Sequence, residues 1–166
     1  MSEVIMIAAV AENYVIGNKG EIPWYISTDF KHFKQQTLGC PCIMGDVTYQ
    51  SLPENARPLP GRENIILTLD KNYKKPEGTT VFHDFDEAID YCKKKYDKIF
   101  ITGGATIYRI GMKYADKLKI TRVHQDYEGD AFFPKIEKDE WKLTDDEKHF
   151  DEKENVKFSF QTYVRK

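Results

Sequence analysis

Lys98-Ile99-Phe100-Ile101-Thr102-Gly103-Gly104-Ala105-Thr106-Ile107-Tyr108 is the stretch on which the fold turns. Ile99, Phe100 and Ile101 are consecutive apolar residues, so an extended segment here is apolar on both faces. That is the pattern of a strand buried within a parallel sheet. Two glycines end the run, and helix-like sequence continues from Ala105 to Met112. A strand turning through glycines directly into a helix is half of a βα unit.

The same alternation extends on both sides. Val4–Ala11, Cys42–Met44, Asn64–Leu69 and Thr80–Phe82 are short apolar or β-branched runs that read as strands. Helical patterns separate several of them: Asp29 to about Gln36, about Thr48 to Leu52, and Phe85–Lys95 behind an Asp84-x-x-Glu87 start signal. After Leu118 the helical periodicity stops. Leu118–His124, Trp141–His149 and Val156–Val164 have strand composition with no helices between them, which predicts an antiparallel C-terminal edge. The expectation is a single α/β domain over 1–166, with a mostly parallel central sheet of about eight strands and helices on both faces. No repeat or Pro/Gly/Ser-rich linker divides it.

The chain has 166 residues and a formal charge of -2, so no general field gathers nucleic acid or anionic lipid. Small molecules are the expected partners, and a monomer the expected state. The apolar run Val4–Val10 is short and follows Glu3, which fits a buried strand better than a signal peptide or membrane span. Three cysteines, Cys40, Cys42 and Cys92, are too few for a disulfide framework, so cytoplasmic residence is expected. Cys40-Pro41-Cys42 lacks metal-ligand spacing, and His32, His83, His124 and His149 are scattered, so no metal site is expected. Lys93-Lys94-Lys95 reads as a solvated last helical turn. Two loops stand out: the proline-rich 53–62 and the long 12–26 next to the first strand.

Three segments offer chemistry. In Ser27-Thr28-Asp29-Phe30-Lys31-His32-Phe33, Ser27 or Thr28 can cap a helix that puts Asp29 and Phe33 one turn apart. Taken alone, Asp29 reads more simply as an exposed acid at a positive helix end. Its other reading is a carboxylate among aromatics, desolvated to accept paired donors such as the N–H/NH2 edge of a pterin. Gly103-Gly104 lets backbone approach a pyrophosphate and opens a helix start, although a tight turn explains it equally. Met44-Gly45-Asp46-Val47-Thr48 is similar and weaker, with Thr48 a helix cap or a cofactor contact.

In order and spacing these pieces resemble dihydrofolate reductase along nearly the whole chain. The resemblance rests on Ile7-Ala8-Ala9 with Val15-Ile16-Gly17, and on Ile22-Pro23-Trp24 followed by Asp29. It continues through Ile43-Met44-Gly45 with Thr48, Arg57-Pro58-Leu59-Pro60-Gly61-Arg62, Asn64-Ile65-Ile66-Leu67, Gly103-Gly104 with Tyr108, Thr121, Glu128-Gly129-Asp130 and Phe133-Pro134. It implies reduction of dihydrofolate by NADPH, with hydride going to C6 and a proton to N5.

Asp29 would then orient the pterin, with a water near Trp24 delivering the proton. Ile7, Phe30, Phe33, Leu59, Arg62, Thr102 and Thr121 would form the substrate side. Within it, Thr121 would hold Asp29, Ile7 and Thr102 would offer carbonyls, and Arg62 would pair with the glutamyl carboxylate. The cofactor side would comprise Ala9, Ile16, Gly17, Gly45, Asp46, Val47, Thr48, Thr68, Leu69, Gly103, Gly104, Ala105, Thr106, Ile107 and Tyr108.

The sequence departs from the family where the cofactor's 2'-phosphate is gripped. Asp46 stands where a basic residue is usual, Leu69 replaces a polar residue, and Thr106 replaces a common arginine. An acid there suits a ribose 2'-hydroxyl, so NADH use or relaxed selectivity is expected beside NADPH, with Lys71 or Arg109 as substitute cations. Phe30 and Ile22 replace the usual leucine and methionine, and Pro53-Glu54-Asn55-Ala56 lengthens the rim. Two alternatives stay open: a same-fold reductase of another pterin or pyrimidine, and a dinucleotide-binding module without turnover.

Overall fold

The computed structural model describes residues 2–166. Ten strands are present: β1 (Glu3–Ala11), β2 (Val15–Gly17), β3 (Pro41–Gly45), β4 (Glu63–Leu67), β5 (Thr79–Phe82), β6 (Lys98–Gly103), β7 (Lys117–Val123), β8 (Ala131–Phe132), β9 (Trp141–Asp151) and β10 (Val156–Arg165). Four α-helices intervene: α1 (Ser27–Thr37), α2 (Asp46–Ser51), α3 (Phe85–Lys93) and α4 (Ala105–Gly111). Eight strands form one sheet in the order β5-β4-β3-β6-β1-β7-β10-β9, and β2 pairs with β8 in a small separate ribbon.

β5 through β7 run parallel, while β10 and β9 are antiparallel. The antiparallel edge therefore starts one strand later than the sequence pattern placed it. β7 pairs parallel with β1 along Ile5–Ala11, and only its other side faces the reversed β10. The apolar reading of β6 holds, since Ile99, Phe100 and Ile101 are all buried.

Alternation along β1 divides the core between two faces. Met6 and Val10 join residues of α3 and α4 in one cluster, including Ala88, Ile89, Ile107 and Tyr108. Ile5 and Ile7 pack on the other face with Met44, Tyr49, Phe33 and Leu59, beneath α1 and α2. The two faces and their helices are those expected for a doubly covered parallel sheet.

The helix starts need several corrections. Neither Ser27 nor Thr28 caps α1; Ile26 holds the cap position and no side chain bonds there. Burial of Ile26 beside Trp24 fixes the chain's entry instead. Thr48 is likewise inside α2, which begins at Asp46 after Gly45. Asp84 does cap α3, accepting from the Glu87 amide at 3.2 Å. α3 ends at Lys93, so Lys95 is not in its last turn; its ammonium donates to Tyr91 Oη at 2.9 Å and reaches Glu63 at 3.4 Å. The 12–26 loop contains β2, and the 53–62 rim contains a 3-10 turn at Glu54–Ala56.

Candidate active site

The parallel strands end together, and their carboxyl ends open a cavity of about 750 Å³. Ala8 and Ala9 of β1, Gly45 of β3, Leu67 of β4, and Thr102 and Gly103 of β6 contribute to its wall. All fifteen residues expected on the cofactor side line it. Ligands of open α/β sheets lie at this end of the strands because the loops there diverge and leave a crevice.

Gly103 has φ +112°, and a Cβ on it would meet the Tyr108 ring at 3.1 Å. A Cβ on Gly104 would stand 3.0 Å from Thr48 Oγ1. The glycine pair thus leaves the chain room to pass between α2 and α4 along the cavity wall. Tyr108 Oη donates to the Ile7 carbonyl at 2.7 Å, which pins α4 to β1 and occupies one lone pair of that carbonyl. Thr102 Oγ1 donates to the Ile43 carbonyl at 3.3 Å, bridging β6 to β3.

Asp29 sits in the first turn of α1 and turns toward β7, where Thr121 Oγ1 donates to its Oδ1 at 2.5 Å. Burial pushes its pKa from 3.8 up to about 6, and the Thr121 hydrogen bond partly opposes the rise. Oδ2 receives no protein donor among the described residues. Asp29 does not line the large cavity, but it borders it: Thr121 is paired in register with cavity-lining Ala9. The Asp29 charge also reaches Tyr108, whose phenol is pushed up first by burial and then by that carboxylate. The plain reading of Asp29 as a solvent-facing helix-end acid is therefore set aside.

Around Asp29 the other substrate-side residues divide. Phe33, Ile7 and Leu59 share one apolar cluster under α1. Trp24 is buried with its ring 4.9 Å from that of Tyr127, and it lies off the cavity wall. Phe30 is 45% exposed and packs on the still more exposed Tyr25, their ring centroids 5.0 Å apart. Arg62 is fixed by its own donors, Nε to the Pro60 carbonyl at 2.9 Å and Nη1 to Thr37 Oγ1 at 3.2 Å, with its guanidinium 6.0 Å from the Phe33 ring centre. Asn64 builds that corner: fully buried, it bonds the Leu59 amide and the carbonyls of Leu59 and Arg62.

Gly20, Glu21, Asp70, His83 and Ile110 also line the wall, and no local motif marks them. His83 was visible only as one of four scattered histidines, and nothing in local sequence ties it to Thr68, fifteen residues earlier. Lys71 and Arg109, offered as substitute cations, do not line the cavity. Arg109 instead turns onto Thr106 Oγ1 at 3.3 Å. No group of three or more metal-ligating side chains converges among the described residues.

A glycine-floored cavity at the carboxyl ends of parallel strands, with a half-buried acid against its wall, defines a nucleotide-cofactor enzyme of the α/β class. A family model described as dihydrofolate reductase matches residues 3–165. A dihydrofolate reductase of Neisseria gonorrhoeae is 39% identical over 166 residues, covering all of both chains. One from Staphylococcus haemolyticus is 37% identical, over 98% of this chain and 96% of that one. A solved dihydrofolate reductase from Enterococcus faecalis, complexed with NADP(H) and RAB-propyl, superposes with a TM-score of 0.89 at 31% identity, covering 98% and 96% of the two chains. The chain belongs to the dihydrofolate reductase family.

Proposed function

We propose that this chain reduces 7,8-dihydrofolate to tetrahydrofolate at the expense of NADPH, with Asp29 as the acid that holds the pterin. The observation that carries this reading is Asp29 itself: half-buried, braced at Oδ1 by Thr121, and one strand residue from the wall of a dinucleotide-sized cavity. A carboxylate desolvated in this way stays ionised only against paired donors, which the N3 and 2-amino edge of a pterin supplies.

The cavity residues fit NADPH, because Gly103 and Gly104 leave backbone bare and the amides of Ala105, Thr106 and Ile107 precede the first intrahelical bond of α4. When bound, the reduced nicotinamide supplies the hydride that the pterin C6 accepts. The protein's own part is placement and proton control. Asp29 orients the ring and favours its protonated form, while Phe33, Ile7 and Leu59 form an apolar wall. A water near Trp24 carries the proton to N5. Arg62, held by Pro60 and Thr37, presents its remaining N–H groups to the glutamyl carboxylate. Asp46 makes NADH an accepted second cofactor.

We also propose that the enzyme works as a cytoplasmic monomer without nucleic-acid or membrane partners. The three cysteines are free, and among the described residues no helix is long and apolar enough to cross a membrane. Following oxidation of NADPH with dihydrofolate, for the parent and Asp29→Asn, tests the main reading. Turnover in the parent that collapses in the variant is expected. A parent without turnover would leave the binding-module reading or another heterocycle.

A further inference from the structure

The helix that carries Asp29 meets the sheet at two neighbouring strands. On β7, Thr121 bonds Asp29. On β10, the residue in register with Thr121 is Phe160, so the two side chains share a face of the sheet. His32 follows Asp29 by three residues and is therefore its neighbour on the surface of α1. It lays its imidazole flat on the Phe160 ring, with centroids 3.9 Å apart and planes 14° from parallel. The carboxyl contact and the ring stack are thus adjacent both along α1 and across the sheet.

Phe160 is itself a fixed platform. Its ring meets Phe158 edge-on at 5.6 Å and His149 at 4.8 Å, and it packs on the cluster that contains Trp24 and Ile26. His149 is anchored in turn by Glu147, whose Oε2 lies 2.6 Å from Nε2. Among the described residues, the charged and titratable groups that face His32 are Lys119 of β7 and Glu147 and His149 of β9. Burial first, and then Lys119, keep its pKa below the ordinary 6.5. Above that pH the ring on Phe160 is the neutral imidazole, and it serves there as a flat aromatic surface.

We infer that His32 is a positioning residue for Asp29: its stack on Phe160 holds α1 against β10, keeps the carboxyl on Thr121 and shields it from water on the β10 side. This rests on the reading of Asp29 as the acid that holds the pterin. Two contacts one helical turn apart fix the roll of this end of α1 over the sheet. A roll that lifts Asp29 from Thr121 also opens the carboxyl to solvent. Desolvation is the larger influence on that carboxyl and the Thr121 bond the smaller, so such a roll lowers its pKa from about 6 toward 3.8.

The test titrates Asp29 by carboxyl-carbon NMR in the protein without ligands, for the parent, His32→Ala, His32→Phe and Phe160→Leu. The pH dependence of catalytic efficiency with dihydrofolate is followed in parallel. In His32→Ala the Asp29 pKa should fall by about one unit, roughly half of its net rise above 3.8. Phe160→Leu should repeat that fall, whereas His32→Phe, which keeps a flat ring on the platform, should hold the parent value. The break in efficiency should move with it, so His32→Ala should be about tenfold less efficient at pH 7.5 with the gap closing below pH 5, and His32→Phe parent-like. An Asp29 pKa unmoved in both His32→Ala and Phe160→Leu, whatever their melting temperatures, overturns the inference. A fall in His32→Phe as large as in His32→Ala overturns it too. Absence of turnover in the parent overturns the reductase reading instead, and the ligand-free titration still decides the role of His32.

Discussion

Thr121 Oγ1 donates to Asp29 Oδ1 across 2.5 Å, tying β7 to α1 through residues 92 apart in sequence. This hydroxyl is the donor that offsets part of the carboxylate's burial. Removing it in Thr121→Val withdraws a hydrogen bond to a charged group, worth about 1.5–3 kcal/mol. The Asp29 pKa should rise by about one to two units on that basis. At pH 5, where Asp29 is protonated in both proteins, catalytic efficiency with dihydrofolate is expected to drop about tenfold or more, with Thr121→Ser retaining most of it. Equal losses in the serine and valine variants would show that the hydroxyl has no positioning role.

Asp29 also sets a pH dependence, with a definite sign. Its folded pKa, about 6, lies above the ordinary 3.8. The carboxyl therefore favours folding fully below about pH 4, and that contribution is lost as pH rises through 6. At pH 7.5 the buried ionised group opposes folding, so Asp29→Asn should stabilise the protein by about 1–2 kcal/mol after allowance for partial exposure. Denaturant melts at pH 7.5 and pH 4 check this, the gain shrinking at the lower pH. The same substitution should cut turnover about 10²–10⁴-fold. In the parent, the reactive complex carries one proton more than the ionised enzyme and neutral dihydropterin. Its efficiency should accordingly decline about tenfold per pH unit above roughly pH 6, a break the asparagine variant lacks.

The wall between α2 and α4 has no room for side chains at its glycines. Gly103→Ala would place a methyl carbon 3.1 Å from the Tyr108 ring at φ +112°. Forcing a non-glycine residue into such a region costs about 1–3 kcal/mol. Chemical denaturation should show that loss, and NADPH affinity should weaken together with it, because Tyr108 lines the cavity and anchors α4 to Ile7.

The fold was legible because its signals are local. Ile99-Phe100-Ile101 and Val4–Ala11 announce buried strands through unbroken apolar runs, and Asp84 with Glu87 marks α3 through one capping contact. What was misread depends on tertiary packing. Ile26, not Ser27 or Thr28, starts α1 because its burial outweighs the preference for a hydroxyl at the cap. β7 is parallel because of its neighbour β1, which composition cannot show. The cofactor wall was readable as a series of motifs only through the resemblance, since Val47 and Leu69 are exposed apolar residues with no intrinsic signal. The contacts of His83 and Asn64 have no sequence signal because their partners, Thr68 and the Leu59–Arg62 rim, are set by chain geometry.

Asn64 gives the rim a direct test. Its amide closes three backbone groups around Leu59 and Arg62 with no exposure to water. Asn64→Ala leaves those groups unpaired or wet, a loss of about 2–3 kcal/mol. Since Arg62 follows this rim, the KM for dihydrofolate should rise several-fold while kcat stays near the parent value. A kcat loss at unchanged KM would detach the rim from glutamyl binding.

Cofactor preference depends on the charge at Asp46. The carboxylate is held by the Val47 amide and the Thr68 hydroxyl, so it cannot swing away from the cavity without losing both bonds. A 2'-phosphate bound nearby therefore meets a fixed negative charge, whereas a 2'-hydroxyl meets an acceptor. Asp46→Arg replaces repulsion by a guanidinium fork suited to phosphate, and the ratio of catalytic efficiencies, NADPH over NADH, should climb about tenfold or more. Asp46→Asn separates the two contributions: it removes the charge while keeping an acceptor for Thr68, and should yield an intermediate ratio. A parent that already shows a strong NADPH preference, unmoved by either substitution, would mean that the Asp46 charge does not act on the adenosine end of the cofactor.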